Sequence, residues 1–253
     1  SVNAPAPLMA RVTQPGVTSH AVLAQATLLG LSGGLPILSD DLSELSPERQ
    51  AIASALLPPQ LDQMRVLDLF EEEMPGVTLT PVARPWGRWM LVGLFNWTEE
   101  PVARPLPVSR IPGLDPQEPH HVVDFWKQTY LRLIPDEPLP SFTLPPHGGV
   151  LLGVRPVEAG AHLVSTTLHI SQGGEGIRWQ AEAGSAMFAI DLGRMSRGEV
   201  WLDLPARPTT AAWNNEELDR KNIRAIARGI WAFEIRVPHR GTLQVAWEPV
   251  EEN

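Results

Sequence analysis

Two adjacent carboxylates, Asp40 and Asp41, follow a short apolar run, Leu35-Pro36-Ile37-Leu38. Paired carboxylates are the equipment of general acid–base chemistry, but neighbours in sequence point in different directions, so these two do not form a catalytic pair. The plainer reading is that Asp41 caps the turn after the run while Asp40 sets the loop. His120 and His121 also abut. Adjacent residues on a strand face opposite sides and cannot chelate together, and no third ligand stands at a metal-binding spacing, so no metal site is expected. The 9 tryptophans invite stacking on a ligand. Most lie in alternating stretches, where an indole is usually core. Trp213 is the exception: beside Asn214-Asn215, in a stretch with no clear period, it is expected to be exposed and is a candidate ligand contact. The glycine stretches Ser32-Gly33-Gly34 and Gln172-Gly173-Gly174-Glu175-Gly176 lack the Lys-Ser/Thr of a phosphate loop. No G-x-S-x-G nucleophile elbow is present. The acidic run Glu71-Glu72-Glu73 reads as a solvated loop.

Composition narrows the classes. The chain has 253 residues, 43% hydrophobic and 19% charged, which is a globular balance. A net charge of -9 disfavours a phosphate-binding surface, and no nucleic-acid partner is expected. The absence of cysteine removes disulfides, thiolate metal sites and a thiol nucleophile, while leaving the compartment, cytoplasmic or secreted, undecided. The longest apolar stretch, Ala21 to Leu31, is too short to span a bilayer, so no membrane partner is expected. No cofactor is expected. The 26 prolines and 20 glycines favour short strands and turns over helices.

The elements that must position these residues change character near residues 58–65. In front, Val17, Ala21, Ala24 and Leu28 share one helical face over 17–29, and Ser32-Gly33-Gly34 ends it. Leu35–Leu38 suits a strand buried on both faces. Ser46 and Pro47 open a second helix, stopped by Pro58-Pro59. Pro7–Ala10 is one more candidate strand, which makes a βαβα order. Two parallel units need neighbours on both edges, so residues 1–60 are expected to be the end of a larger α/β domain. From residue 61 to 253 the pattern is all-β. Strands are expected at 65–70, 89–97, 121–126, 149–154, 161–170, 177–182, 186–191, 198–203, 230–237 and 242–248, forming an antiparallel β-sandwich. Residues 98–119 read as a long surface connection, and 213–228 as a short helix capped by Asn214-Asn215.

Several segments resemble clan D glycoside hydrolases, the α-galactosidase or melibiase group. Leu31 to Leu45, LSGGLPILSDDLSEL, resembles the eighth strand and following loop of that group's catalytic barrel. Val2–Leu8 with Arg11 resembles its "LNDPDCLLVR" strand. Arg88–Trp97 ends in Phe-Asn-Trp, as the family's "vvalFNW" strand does. His121–Trp126 carries the Asp-Phe-Trp of its "DFW" strand, and Pro146–Pro156 is similar to its "HG-x-LL-x-I-x-P" hairpin. The resemblance touches residues 2–170.

The resemblance implies that residues 1–60 are the last two β/α units of an incomplete (β/α)8 barrel and that 61–253 are the C-terminal sandwich supporting it. It implies an α-linked sugar as ligand, with Asp40 and Asp41 at the strand end where barrel sites lie. One of them would hold a sugar hydroxyl or orient a neighbour. The family's nucleophile and acid/base come from earlier strands, so no catalytic residue is assigned here and the implied partner is the missing N-terminal part of the same protein. A homo-oligomer is a further possible assembly. Ala4 and Ala6 replace the aspartates of the family's NDPD. A carbohydrate-binding or structural β-sandwich module without catalysis is the alternative.

Overall fold

A computed structural model describes residues 9–10, 19–34, 37–38 and 44–248. Among the described residues it is mostly β, with few helices. The first element, β1 (Met9–Ala10), is followed by α1 (Ser19–Leu31), β2 (Ile37–Leu38) and α2 (Pro47–Ala55). β1 and β2 pair in parallel, Met9 opposite Ile37 and Ala10 opposite Leu38, with α1 as the crossover. α1 is buried on more than one side, through Val22, Ala24, Ala26, Leu29 and Leu31. It stops where the sequence says it must: Ser32 Oγ donates back to the Leu29 carbonyl, and Gly33 takes a left-handed φ of 72°. α2 starts on Ser46, whose hydroxyl accepts from the Arg49 amide, with Pro47 in the first turn.

Strands β3 (Arg65–Val66), β4 (Val77–Arg84) and β5 (Gly87–Phe95) come next, then β6 (Val102–Pro105), a 3-10 turn over Val108–Arg110, β7 (His120–Asp124), β8 (Thr129–Leu133), β9 (Ser141–Leu144) and β10 (Gly149–Pro156). They form a six-stranded antiparallel sheet in the order β3-β4-β5-β10-β7-β8 and a two-stranded sheet of β6 and β9. β5 shows the period of two. Met90, Val92 and Leu94 face one core with Leu106, Val108, Ile111 and Leu152, while Trp89 and Leu91 face the other, against Ala26, Leu31, Ala55 and Leu56 of the helical segment. Both faces are thus covered, which is why this strand reads as a continuous apolar run.

The remaining strands are β11 (His162–Thr166), β12 (Gly176–Glu182), β13 (Ser185–Asp191), β14 (Ser196–Asp203), β15 (Pro208–Trp213), β16 (Glu216–Glu217), β17 (Ile223–Ala227), β18 (Ile230–Val237) and β19 (Arg240–Trp247). They make a four-stranded sheet, β11-β14-β18-β17, and a five-stranded sheet, β12-β13-β19-β15-β16. Phe188, Val200, Phe233, Leu243 and Val245 fill the space between these two. The outer face of the four-stranded sheet is not free. Trp201, Val164, Ile230 and Ala232 pack there with Val123 of β7.

Three expectations are corrected. Residues 98–119 are not a bare connection: β6 pairs with β9, and Leu106, Val108 and Ile111 are buried. Glu72 and Glu71 anchor this strap through the guanidinium groups of Arg104 and Arg110. Residues 213–228 form no α-helix, only a 3-10 turn over Arg220–Asn222 between β16 and β17. Asn214 and Asn215 take φ of 51° and 68°, which makes them the turn of the β15–β16 hairpin rather than a helix cap. The 65–70 strand is only Arg65–Val66.

Candidate functional site

Three of the family-like segments are neighbours in one sheet. β5, β10 and β7, which carry Phe-Asn-Trp, the His-Gly hairpin and Asp-Phe-Trp, are consecutive in the six-stranded sheet. Their polar residues have legible work. Asn96 Nδ2 donates to the carbonyls of Glu100, Leu144 and Pro145, and its Oδ1 accepts from Thr98, so it ties two loops together. Asp124 accepts the amides of Trp126 and Lys127 at a turn, and Trp126 Nε1 donates to Thr27 Oγ1 of α1 at 2.8 Å. The Asp-Phe-Trp segment thus holds the helical segment against the sheet.

Behind it lies a buried polar loop, residues 167–175. His169 donates from Nε2 to the Pro58 carbonyl at 2.7 Å, and its Nδ1 meets Ser171 Oγ at 2.7 Å. Ser171 Oγ donates to Glu175 Oε2 at 3.0 Å, which also accepts the Gly173 amide. The other Glu175 oxygen accepts from Thr166 Oγ1. Histidine, serine and carboxylate are here linked in the wrong order for a nucleophile. The carboxylate bonds the serine rather than the imidazole, and Ser171 is fully buried. The array is a lock. Trp89 Nε1 reaches the Ser171 carbonyl, Arg84 the Gly174 carbonyl and Arg155 the Gln172 carbonyl. Burial lowers the pKa of His169, partly opposed by Glu175, and pushes the wholly buried Arg155 down to about 9.

A second cluster stands where the six-stranded and four-stranded sheets meet. His121 on β7 faces His162, the first residue of β11, and Asp203, the last residue of β14. The two Nε2 atoms are 2.8 Å apart, and Asp203 Oδ2 lies 3.7 Å from that of His121 and 3.9 Å from that of His162. His162 Nδ1 is engaged by the Gly160 carbonyl and His121 Nδ1 by the Tyr130 hydroxyl. Burial first, then the neighbouring His162, hold the His121 pKa down to about 3, so the ring is neutral. Burial also raises Asp203, and it pushes Tyr130 up to about 12.

The residues singled out in the sequence fare differently. Asp40, Asp41, Ala4, Ala6 and Arg11 lie outside the described residues; in the sequence, Ser39 alone separates the end of β2 at Leu38 from Asp40. Trp213 is not the exposed indole expected of it. It ends β15, is 9% exposed, and packs in the core with Leu243 and Phe233. A Cβ on Gly241 would fall 2.2 Å from its ring. The His121–His162–Asp203 set was not found from sequence, because no local spacing carries it. His162 and Asp203 meet only as register partners across β11 and β14, and His121 arrives from another sheet.

No family model and no curated protein matches the sequence. Among solved structures, the chain is similar to glycoside hydrolases of the α-galactosidase group. One is α-galactosidase I from Mortierella vinacea, at 16% identity over 58% of this chain and 38% of that one, with a TM-score of 0.47. Another is a GH27 β-L-arabinopyranosidase from Geobacillus stearothermophilus, at 15% identity over 58% and 32%, TM-score 0.46. Isomalto-dextranase from Arthrobacter globiformis T6 aligns over 92% of this chain and 46% of its own, at 11% identity and a TM-score of 0.39. The chain therefore spans 32% to 46% of the length of these proteins.

Proposed function

We propose that this chain is the C-terminal portion of an α-galactosidase-like glycoside hydrolase. It supplies the last two β/α units of a barrel (residues 1–60) and a β-sandwich region (61–253) that buttresses them. The observation that carries this reading is the parallel β1–β2 pair with α1 as crossover, with Asp40 and Asp41 following β2 in the sequence after the single residue Ser39. In β/α barrels, groups at the C-terminal ends of strands face substrate. The contact of Trp126 with Thr27 supports a buttressing role, because it joins one of the family-like strands to the crossover helix.

On this reading, one of Asp40 and Asp41 accepts a hydrogen bond from a sugar hydroxyl or orients a neighbouring group, and the two together shape the pocket. The nucleophile and the acid/base belong to barrel strands that precede Asn3 in the parent protein. Hydrolysis needs both carboxylates on either side of the glycosidic bond, so the isolated 253-residue chain turns over no nitrophenyl α-galactoside. In the parent protein, at least one of D40N and D41N raises KM for that substrate by about 10-fold, the effect of one charge-assisted hydrogen bond to substrate. Turnover by the isolated chain, or unchanged KM in both variants, would overturn the reading.

A further inference from the structure

Three metal-type donor atoms from three strands lie within 4 Å of one another where the two sheets meet, a spacing that matches an ion. The three distances among His121 Nε2, His162 Nε2 and Asp203 Oδ2 place the point equidistant from all of them about 2 Å from each, the length of zinc–nitrogen and zinc–oxygen bonds. We propose that His121, His162 and Asp203 bind a divalent transition-metal ion of the zinc class, which pins the six-stranded sheet to the four-stranded sheet. The proposal is independent of the glycosidase reading.

Second contacts favour an ion over an ordinary histidine pair. In each ring the nitrogen turned away from the cluster is already held, by the Gly160 carbonyl in His162 and by the Tyr130 hydroxyl in His121. Such outward bonds fix ring orientation and tautomer in metal-ligating histidines. His162 donates from Nδ1 to a carbonyl, which leaves its Nε2 lone pair bare and aimed into the cluster. Without an ion the pair closes only if His121 donates from Nε2 to His162. That arrangement leaves the Asp203 carboxylate, whose side chain is 18% exposed, accepting no hydrogen bond among the described residues. Half-buried carboxylates are expensive to leave so. An ion satisfies all three groups at once.

The donor set selects the metal. Two imidazoles and one carboxylate suit zinc and its first-row neighbours, whereas calcium and magnesium take oxygen ligands. Three protein ligands leave a fourth position for water, and Asp203 is the least buried of the three. Arg132 and Arg155 lie opposite His121 on the two adjoining strands, and their charge weakens the site relative to the donor set alone.

The test uses tag-free, chelator-stripped chain titrated with Zn2+, Mg2+ and Co2+. Expected are one zinc per chain, a melting temperature raised by zinc but not by magnesium, and visible Co2+ bands of low coordination number. D203N, nearly isosteric and on the rim, is expected to weaken zinc at least about 10-fold, since even outer partners are worth that much. Its metal-free melting temperature should stay near that of the parent. Should D203N fail to fold, H162Q is read in the same way. Absence of a zinc-dependent rise in melting temperature, or zinc and cobalt binding undiminished in D203N or H162Q, would overturn the site.

Discussion

The guanidinium carbon of Arg155 lies 3.7 Å from the centre of the Trp89 ring, and the Trp89 N–H reaches the Ser171 carbonyl at 2.9 Å. One indole therefore serves as platform for a buried cation and as donor to the loop behind it. Trp89→Phe keeps an aromatic face but leaves that carbonyl unpaired. A loss of about 2 kcal/mol is expected, read as a lower urea midpoint. An unchanged midpoint would show that the loop is held elsewhere.

Acid should loosen the same loop. Burial lowers the His169 pKa in the folded state, with Glu175 opposing and Arg194 and Arg84 adding to the shift. The unfolded chain then takes up the proton first, so the contribution is full above the unfolded value near 6.5 and shrinks as pH falls from there toward the folded value. Stability should fall between pH 7.5 and 5.5 by at most about 1.4 kcal/mol per pH unit for this group. Melting curves of H169Q should show a shallower fall, and equal slopes would remove His169 as the cause.

Gly33 and Gly34 are adjacent but not equivalent. Gly33 has a φ of 72° and its hypothetical Cβ would sit 3.1 Å from the Asp62 carbonyl, while that of Gly34 meets, among the described residues, only Ser32 Oγ at 3.4 Å. Gly33→Ala should cost about 1–2 kcal/mol, and Gly34→Ala well under that. The pair of chemical denaturation curves decides it.

Trp213 should behave as core. Trp213→Ala opens a large hole beside Leu243 and Phe233 and should cost about 3–5 kcal/mol. Its fluorescence should be blue-shifted in the folded chain and unmoved by galacto-oligosaccharides. A red-shifted, sugar-responsive indole at this position would return it to the ligand contacts.

Local signals made much of the fold readable. Ser46-Pro47 opening α2, Ser32-Gly33-Gly34 closing α1, and the alternation of Leu243, Val245 and Trp247 in β19 all depend on near neighbours. What escaped depends on partners far away. β6 is a strand because β9 lies beside it, and Leu106 is buried because β4, β5 and β10 offer a face to cover. Asn214-Asn215 resembles a helix cap as readily as a hairpin turn, and only pairing with β16 decides between them. The histidine–aspartate cluster was wholly invisible, since sheet packing rather than spacing assembles it. Asp40 and Asp41, the first residues to draw attention, lie outside the described residues.

The four-stranded sheet is covered on both sides, by Val123 of β7 through Trp201 and Ile230, and by the five-stranded sheet through Val200 and Phe233. It is a shared wall. Cutting the chain between Pro156 and His162 would strand Trp201 and Val164 in water on one fragment and Val123 on the other, so neither half should be soluble alone. Heat absorption on melting should then appear as a single cooperative peak rather than two.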